Sequence, residues 1–388
     1  MTDEPRLLSF RSRFPILSTT KYLVSHSLGA MPASTADAMA EFAATWAARG
    51  VRAWEEGWWT MSLEVGDLIA PFLGAAPGTV IMLPNVTTAE AVILSSLDYR
   101  PPRNRVVMVE GEFPSVRYVW SGLGAKLGAE IVVVPEAPQG FGFDLDRLLR
   151  TIDERTVTVP ISHVLFQSSF AVDVRAIARR CREVGALLIL DVFQSAGIVP
   201  IDVAAWDVPV AVGGVLKWLC GGPGGGYLYV APEMRAKLEP ALTGWMAHES
   251  PFSFEPPPIV RRDDPMRFAL GTPPVPALYA AREGVRTLAE AAAGDMTAIR
   301  RKSLRQTSRI IAAARARGLE IHGPIEEERR GGTVSVRVPG APALAAELNR
   351  RDIVCDYRPK SGIRLAPHFY TEDAEIDAAF EAIDEIRG

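Results

Sequence analysis

Two side chains in this sequence have the types and spacing to share one reaction. Asp191 directly follows the apolar run 187–190 in LLILDVFQSAG, and Lys217 comes twenty-six residues later within GGVLKWLCGGPGGG at 213–226. A carboxylate placed directly after a strand lies at the carboxyl edge of a sheet, where open α/β sheets hold their ligands. Alone, it serves equally well as the cap of a turn or helix. A lysine among glycines and apolar residues is partly desolvated, which lowers its pKa and makes the neutral amine nucleophilic toward an aldehyde. The two groups have complementary jobs. The amine can hold an aldehyde carbon as an imine while the carboxylate faces a protonated pyridine nitrogen at the far side of the same ring. A ring so held is an electron sink for carbanion chemistry, and the cofactor with that ring is pyridoxal phosphate.

The elements that must position this pair alternate from about residue 79. The pattern predicts strands at 80–83, 105–110, 130–135, 156–165 and 186–191. Between them it predicts helices from Thr87, over 115–127 and over 172–184. The nearly continuous apolar strand runs suit strands buried on both faces. Strand, helix and parallel strand in series make right-handed crossovers, hence an α/β fold with a mainly parallel sheet covered by helices. Upstream, residues 21–32 read as an extended piece and a turn. Residues 32–49 read as a helix whose Met39, Phe42 and Trp46 form a core-facing stripe. After the Pro-rich stretch 251–276, one long helical region at 275–317, strands at 332–338 and 353–357, and a helix at 373–387 predict a smaller α+β domain. The division expected is an N-terminal segment at 1–50 joining the small domain, a large cofactor-binding domain at 51–274, and the small domain at 275–388.

Bulk properties narrow the classes. The chain has 388 residues, 48% hydrophobic and 23% charged, with a formal net charge of −4, so nothing favours nucleic acid or an anionic membrane surface. Cys181, Cys220 and Cys355 stand far apart, which fits neither a disulfide framework nor a metal site and predicts a reducing compartment. No apolar run is long enough to cross a bilayer and residues 1–15 lack a signal-peptide core, so a cytoplasmic protein is expected. The glycines 221–226 end in no Gly-Lys-Ser/Thr and read as a tight turn, not a nucleotide loop. NVTTAE at 85–90 opens a helix. Thr87 with Glu90 fits a capping box, and the same helix start suits a phosphate.

LILDVFQSAGIVPIDVAAWDV followed by LKWLCGGPGGGYLYV resembles the class V aminotransferase superfamily of fold-type I pyridoxal-phosphate enzymes. Around that core, YLVSHSLGAMP, Phe113-Pro114-Ser115, GWMAHESPF, RFALGTPPV and GIRLAPHFY are most similar to kynureninases. The resemblance implies a Schiff-base Lys217, a ring-nitrogen partner Asp191, and a phosphate turn at Thr87 and Thr88. It implies Phe113 stacked on the ring, Gln194 on the phenolic oxygen, and Trp245 near the phosphate. Arg364 would clamp the substrate α-carboxylate. Thr272, in Gly271-Thr272, would reach the phosphate of a neighbouring subunit, which makes a homodimer with shared active sites. The implied activity is cleavage of a side-chain bond of an L-amino acid. Several kynureninase positions differ here: Val116 stands for Asp, Leu216 for Tyr and Gln194 for His, and the Asn expected soon after His163 is missing. Val116, Leu216 and His26 are the residues expected to shape substrate choice. A class V aminotransferase or an epimerase would use the same residues, as would a pyridoxal-phosphate-binding protein without catalysis. A cysteine desulfurase would need a mobile thiol, and Cys355 in DIVCDY reads as a buried strand residue.

Overall fold

A computed structural model describes residues 3–388. Strand β1 (Lys21–Tyr22) lies apart from the main sheet, which is built from seven strands. These are β2 (Val80–Leu83), β3 (Arg105–Val109), β4 (Glu130–Val134), β5 (Thr156–Ser162), β6 (Leu187–Asp191), β7 (Val210–Gly214) and β8 (Gly226–Val230). Their spatial order is β2-β8-β7-β6-β5-β3-β4, with β8 antiparallel to both neighbours and every other pairing parallel. This is the mainly parallel α/β sheet that the alternating pattern predicts. Strands β5 to β8 are buried along their whole length. Full burial of each Val, Leu or Ile contributes about 1.5–3 kcal/mol, so the central strands hold the sheet rigidly beneath its carboxyl edge.

A second sheet joins β9 (Glu320–Ile321) and β10 (Val334–Arg337) to two later strands. Strand β11 (Ile353–Val354) leaves it to pair in parallel with β1, while β12 (Asp356–Arg358) and β13 (Gly362–Leu365) complete the order β12-β13-β10-β9. The β1–β11 pairing, the Val24–Ala366 bridge and the Arg11–Glu375 ion pair tie the N-terminal segment to these later elements.

Three expectations need correction. The helical region predicted over 275–317 is two helices, Val275–Ala292 and Thr297–Ala316. Ala293 and Gly294 between them both have positive φ, and Asp295 accepts from the Thr297 N–H at 2.8 Å to restart the chain. The helix Ser34–Arg49 does not bury its stripe: Met39 is 37% and Trp46 64% exposed, and only Phe42 packs inward, stacked on Trp58 at 5.5 Å. The Thr87–Glu90 capping box does not form. Asn85 is the N-cap of the helix Val86–Leu94, and Glu90 turns into the core with no exposed surface. No helix among the described residues is long and apolar enough to cross a membrane.

Candidate active site

The carboxyl edge of the main sheet opens into a cavity of about 290 Å³ that brings Asp191 and Lys217 together. Its wall also includes Thr87, Phe113, Val116, Ser162, Val164, Phe166, Phe193, Gln194 and Leu216. Asp191 ends β6 and is 6% exposed. Its Oδ1 accepts the Phe193 N–H at 2.8 Å, and no described residue hydrogen-bonds its Oδ2. Burial, only partly offset by Phe193 and the Lys217 charge, raises its pKa from 3.8 to about 6. It is therefore mostly ionised at neutral pH and keeps one oxygen for a ligand.

Lys217 follows β7 on the turn that leads to β8. Its Nζ lies 4.3 Å from the Phe193 ring centre and 5.6 Å from that of Phe113, and no described residue accepts a hydrogen bond from it. The backbone fixes the turn: Gly29 N–H donates to the Leu216 carbonyl at 2.9 Å, and a Cβ at Gly29 would sit 2.1 Å from the Lys217 carbonyl oxygen. That close approach explains the Gly in SHSLGAMP. Burial, opposed by Asp191 and reinforced by Arg364 and Arg358, lowers the Lys217 pKa from 10.5 to about 8. Reaction of the cofactor-free protein with an amine-selective acylating reagent should therefore rise with pH, reaching half its maximal rate at Lys217 near pH 8. Peptide mapping of the modified lysine across pH gives the midpoint. A midpoint at the ordinary lysine value would mean that the amine is not desolvated.

The cavity fits pyridoxal phosphate by its own chemistry. An unpartnered amine and an unpartnered carboxylate oxygen face one enclosed space with aromatic walls, and a helix starts at its rim. At that start the Asn85 Oδ1 accepts both the N–H and the hydroxyl of Thr88, at 2.9 and 3.1 Å. Thr88 is thus committed to the cap, and Thr87, exposed at the cavity wall, is the side chain free for an anion. A Cβ at Gly226 would lie 2.6 Å from the Asn85 backbone, so β8 approaches this turn only because it begins with glycine.

The other residues singled out from the sequence lie in different places. Phe113 is half-exposed over the cavity and meets Phe166 edge-on at 5.1 Å. Gln194 lines the wall, its Nε2 donating to the His26 carbonyl at 3.2 Å. His26 is buried behind it, and its Nε2 bonds Asp356 at 3.2 Å. Burial and the Arg364 charge lower the His26 pKa to about 4, so the ring is neutral, Nε2–H donates, and Nδ1 is left without a partner. Arg364 is 3% exposed and pairs side-on with Asp356, Nε at 2.8 Å and Nη2 at 2.5 Å, while Nη1 donates to the Phe166 carbonyl at 2.7 Å. Burial would raise Asp356, but hydrogen bonds from His26 and Arg364 outweigh it and hold the carboxyl well below its usual range. Arg364 is near enough for its charge to act on Lys217, but like Trp245 and Thr272 it is not among the residues lining the cavity of its own chain. Trp245 packs with Trp59, Phe252 and Phe254, and Thr272 is exposed beside Gly271.

Sequence reading missed Ser162, Phe166, Phe193, Glu112 and Asp356. Phe193 carried a signal, since it lies two residues beyond Asp191. The Glu112–Ser162 partnership joins segments fifty residues apart and is visible only in the fold, whereas Asp356 and Arg364 are register partners across the β12–β13 hairpin, eight residues apart.

Comparison with known proteins agrees with this geometry. Residues 21–355 match the family described as aminotransferase class-V. A kynureninase of Burkholderia pseudomallei (strain 1106a) is 29% identical over 99% of this chain and 93% of its own length. One from Pseudomonas fluorescens is 30% identical over 98% and 92%. Among solved structures, the apo cysteine desulfurase from Thermococcus onnurineus NA1 superposes with a TM-score of 0.85 at 21% identity, covering 97% of each chain. A C-DES mutant with glycine covalently linked to its PLP cofactor gives 0.86 at 19% identity, covering 96% and 98%. Fold, paired amine and carboxylate, and family match converge: this chain belongs to the class V aminotransferase family of pyridoxal-phosphate-dependent enzymes.

Proposed function

We propose that the protein cleaves a side-chain bond of an L-amino acid in the manner of the kynureninases it resembles, with Lys217 as the proton-transferring base. The observation that carries this reading is the apolar enclosure of a low-pKa amine opposite an ionised Asp191, in a chain alignable with kynureninases over almost its full length. When bound, pyridoxal phosphate supplies an aldehyde for the amino group and a protonated ring that accepts electrons. Asp191 keeps that ring nitrogen protonated. Lys217, neutral in a substantial fraction near pH 8, takes the proton from the substrate α-carbon. Phe113, Phe166, Val116, Val164 and Leu216 exclude water and accept an apolar or aromatic side chain.

The substrate α-carboxylate goes to Arg364. Of its five N–H groups, three are engaged by Asp356 and the Phe166 carbonyl, which leaves one on each terminal nitrogen for a forked contact. His26 and Asp356 hold the guanidinium in place from behind. Arg364→Lys keeps a charge to face Asp356 but loses the fork. A hydrogen bond to a charged group contributes about 1.5–3 kcal/mol, so KM for the amino acid should rise about 10- to 100-fold. Steady-state kinetics against an analogue lacking the carboxylate check this: an equal change for both substrates would rule out the clamp.

The working unit on this reading is a homodimer in the cytoplasm. Lys217 is the sole cation on the cavity wall, so the phosphate needs further donors, and the exposed Gly271-Thr272 is the pair that the family resemblance assigns to a second copy. The exposed apolar side chains of Trp46, Val51 and Phe254 are ones that a second copy would cover on this reading. A desulfurase reading is weaker, because Cys181, Cys220 and Cys355 are all buried and burial pushes each thiol up to about 12. The test is to incubate the loaded enzyme with L-kynurenine and a panel of amino acids and identify the products. Alanine with anthranilate supports the proposal, while an oxo acid would establish transamination in its place.

A further inference from the structure

Three carboxyl groups, Asp191 on the cavity wall and Glu112 and Glu90 behind it, lie near enough for their charges to act on one another, and only Asp191 has a role in the reaction so far. Asp191 ends β6, and its register partner on β5 is Ser162, which also lines the cavity. Beyond Ser162, in the turn after β3, lies Glu112, 2% exposed. Both its oxygens turn to that serine: Oε1 receives the Ser162 N–H at 2.8 Å, and Oε2 lies 2.5 Å from Ser162 Oγ. Glu90, from the helix Val86–Leu94, is fully buried. Its Oε2 receives the Trp120 indole N–H at 2.9 Å, and its Oε1 has no partner.

Three neighbouring carboxyls out of water do not all ionise. The charge belongs on Asp191, which alone faces the Lys217 amine and takes the Phe193 N–H. Glu112 has only the neutral donors of Ser162 in contact, with the Arg117 guanidinium acting from a distance. Protons therefore stay on Glu90 and Glu112. A protonated Glu112 reverses the short contact: its O–H donates to Ser162 Oγ, and the serine hydroxyl proton is released from the glutamate.

We propose that Glu112 is a positioning residue that holds a proton and hydrogen-bonds it to Ser162, so that the Ser162 hydroxyl donates into the cofactor cavity beside Asp191. The inference rests on the cofactor occupying this cavity but not on which amino acid is cleaved. Were Glu112 ionised, Ser162 would spend its proton on the glutamate and offer only lone pairs to the ligand, and a second negative charge would oppose that of Asp191. Burial, with the Asp191 charge adding to it and Ser162 and Arg117 opposing, raises the Glu112 pKa to about 8, in keeping with a proton held at neutral pH.

The test is infrared spectroscopy of the full-length, cofactor-free protein. A protonated-carboxyl stretch should be present at pH 7, lose one component as pH rises through about 8, and lack that component in Glu112→Gln. Ser162→Ala should shift the same component by removing its acceptor, which keeps the test alive if the Gln variant folds poorly. With pyridoxal phosphate bound, the visible band should show a pH-dependent change near pH 8 that Glu112→Gln abolishes, since the amide donates at every pH. A wild-type carboxyl band unchanged in both variants, or a Glu112→Gln holoprotein with the wild-type pH response, would overturn the proposal. Either result leaves the assigned reaction untouched, because the infrared reading needs no substrate.

Discussion

Lys217→Ala protein incubated with pyridoxal phosphate is expected to lack the visible absorption of a lysine-bound cofactor, to gain no borohydride-fixed mass, and to lose turnover by at least about 10²- to 10⁴-fold. The substitution removes two functions at once, the covalent anchor and the base. The fold should tolerate it. No described residue accepts a hydrogen bond from Lys217 Nζ, so its removal leaves no buried acceptor stranded. Its cation–π contacts with Phe193 and Phe113 and its attraction to Asp191 are lost, but so are its own burial cost and its repulsion by Arg364 and Arg358. Melting should therefore be close to wild type, which separates a chemical loss from an unfolding one. A wild-type spectrum in this variant would remove Lys217 from the mechanism, whatever the fold.

The parts of the site that were legible in the sequence are those whose chemistry is local. Asp191 could be placed because a carboxylate following four apolar residues lies at a sheet edge, and Lys217 because a charge among glycines and apolar residues is out of place in solvent. The alternation of strands and helices located β2 to β6 within a few residues. Strand β7 escaped notice because Val210–Gly214 is short, begins beside Pro209 and ends in two glycines, the composition of a turn. Strand β13 and the helix Ala341–Arg350 were likewise masked by glycine and proline at their ends. What stayed hidden was pairing between distant segments. Glu112 meets Ser162 across fifty residues of chain, while Asp356 faces Arg364 across a short hairpin that went unread because β13 was missed. The stripe of Met39 and Trp46 shows the converse. Helical spacing identified an apolar face correctly, but not whether this chain or another molecule covers it.

Asp191→Asn should divide stability from function. Asparagine keeps the shape and can still accept the Phe193 N–H, but a neutral amide does not hold a proton on the ring nitrogen. Removing a preorganised electrostatic stabiliser of this kind costs about 10²- to 10³-fold in kcat, with Lys217 chemistry and the visible band retained. Stability of the cofactor-free protein should move the other way. The Asp191 pKa is raised on folding from 3.8 to about 6, so its contribution is fully present below the unfolded value and is lost as pH rises through about 6. That rise corresponds to about 3 kcal/mol held against the native state at higher pH. A neutral side chain escapes this loss. Asp191→Asn should thus melt above wild type at pH 8, with the difference shrinking toward pH 4. Melting curves across pH, with kcat measured on the loaded protein, test both halves. An active enzyme would refute the electron-sink role, whereas an inactive variant with no gain in stability at pH 8 would mean that the carboxylate is better solvated than its burial implies. The expected combination, a more stable apoprotein and a crippled enzyme, is what a buried charge retained for chemistry alone should produce.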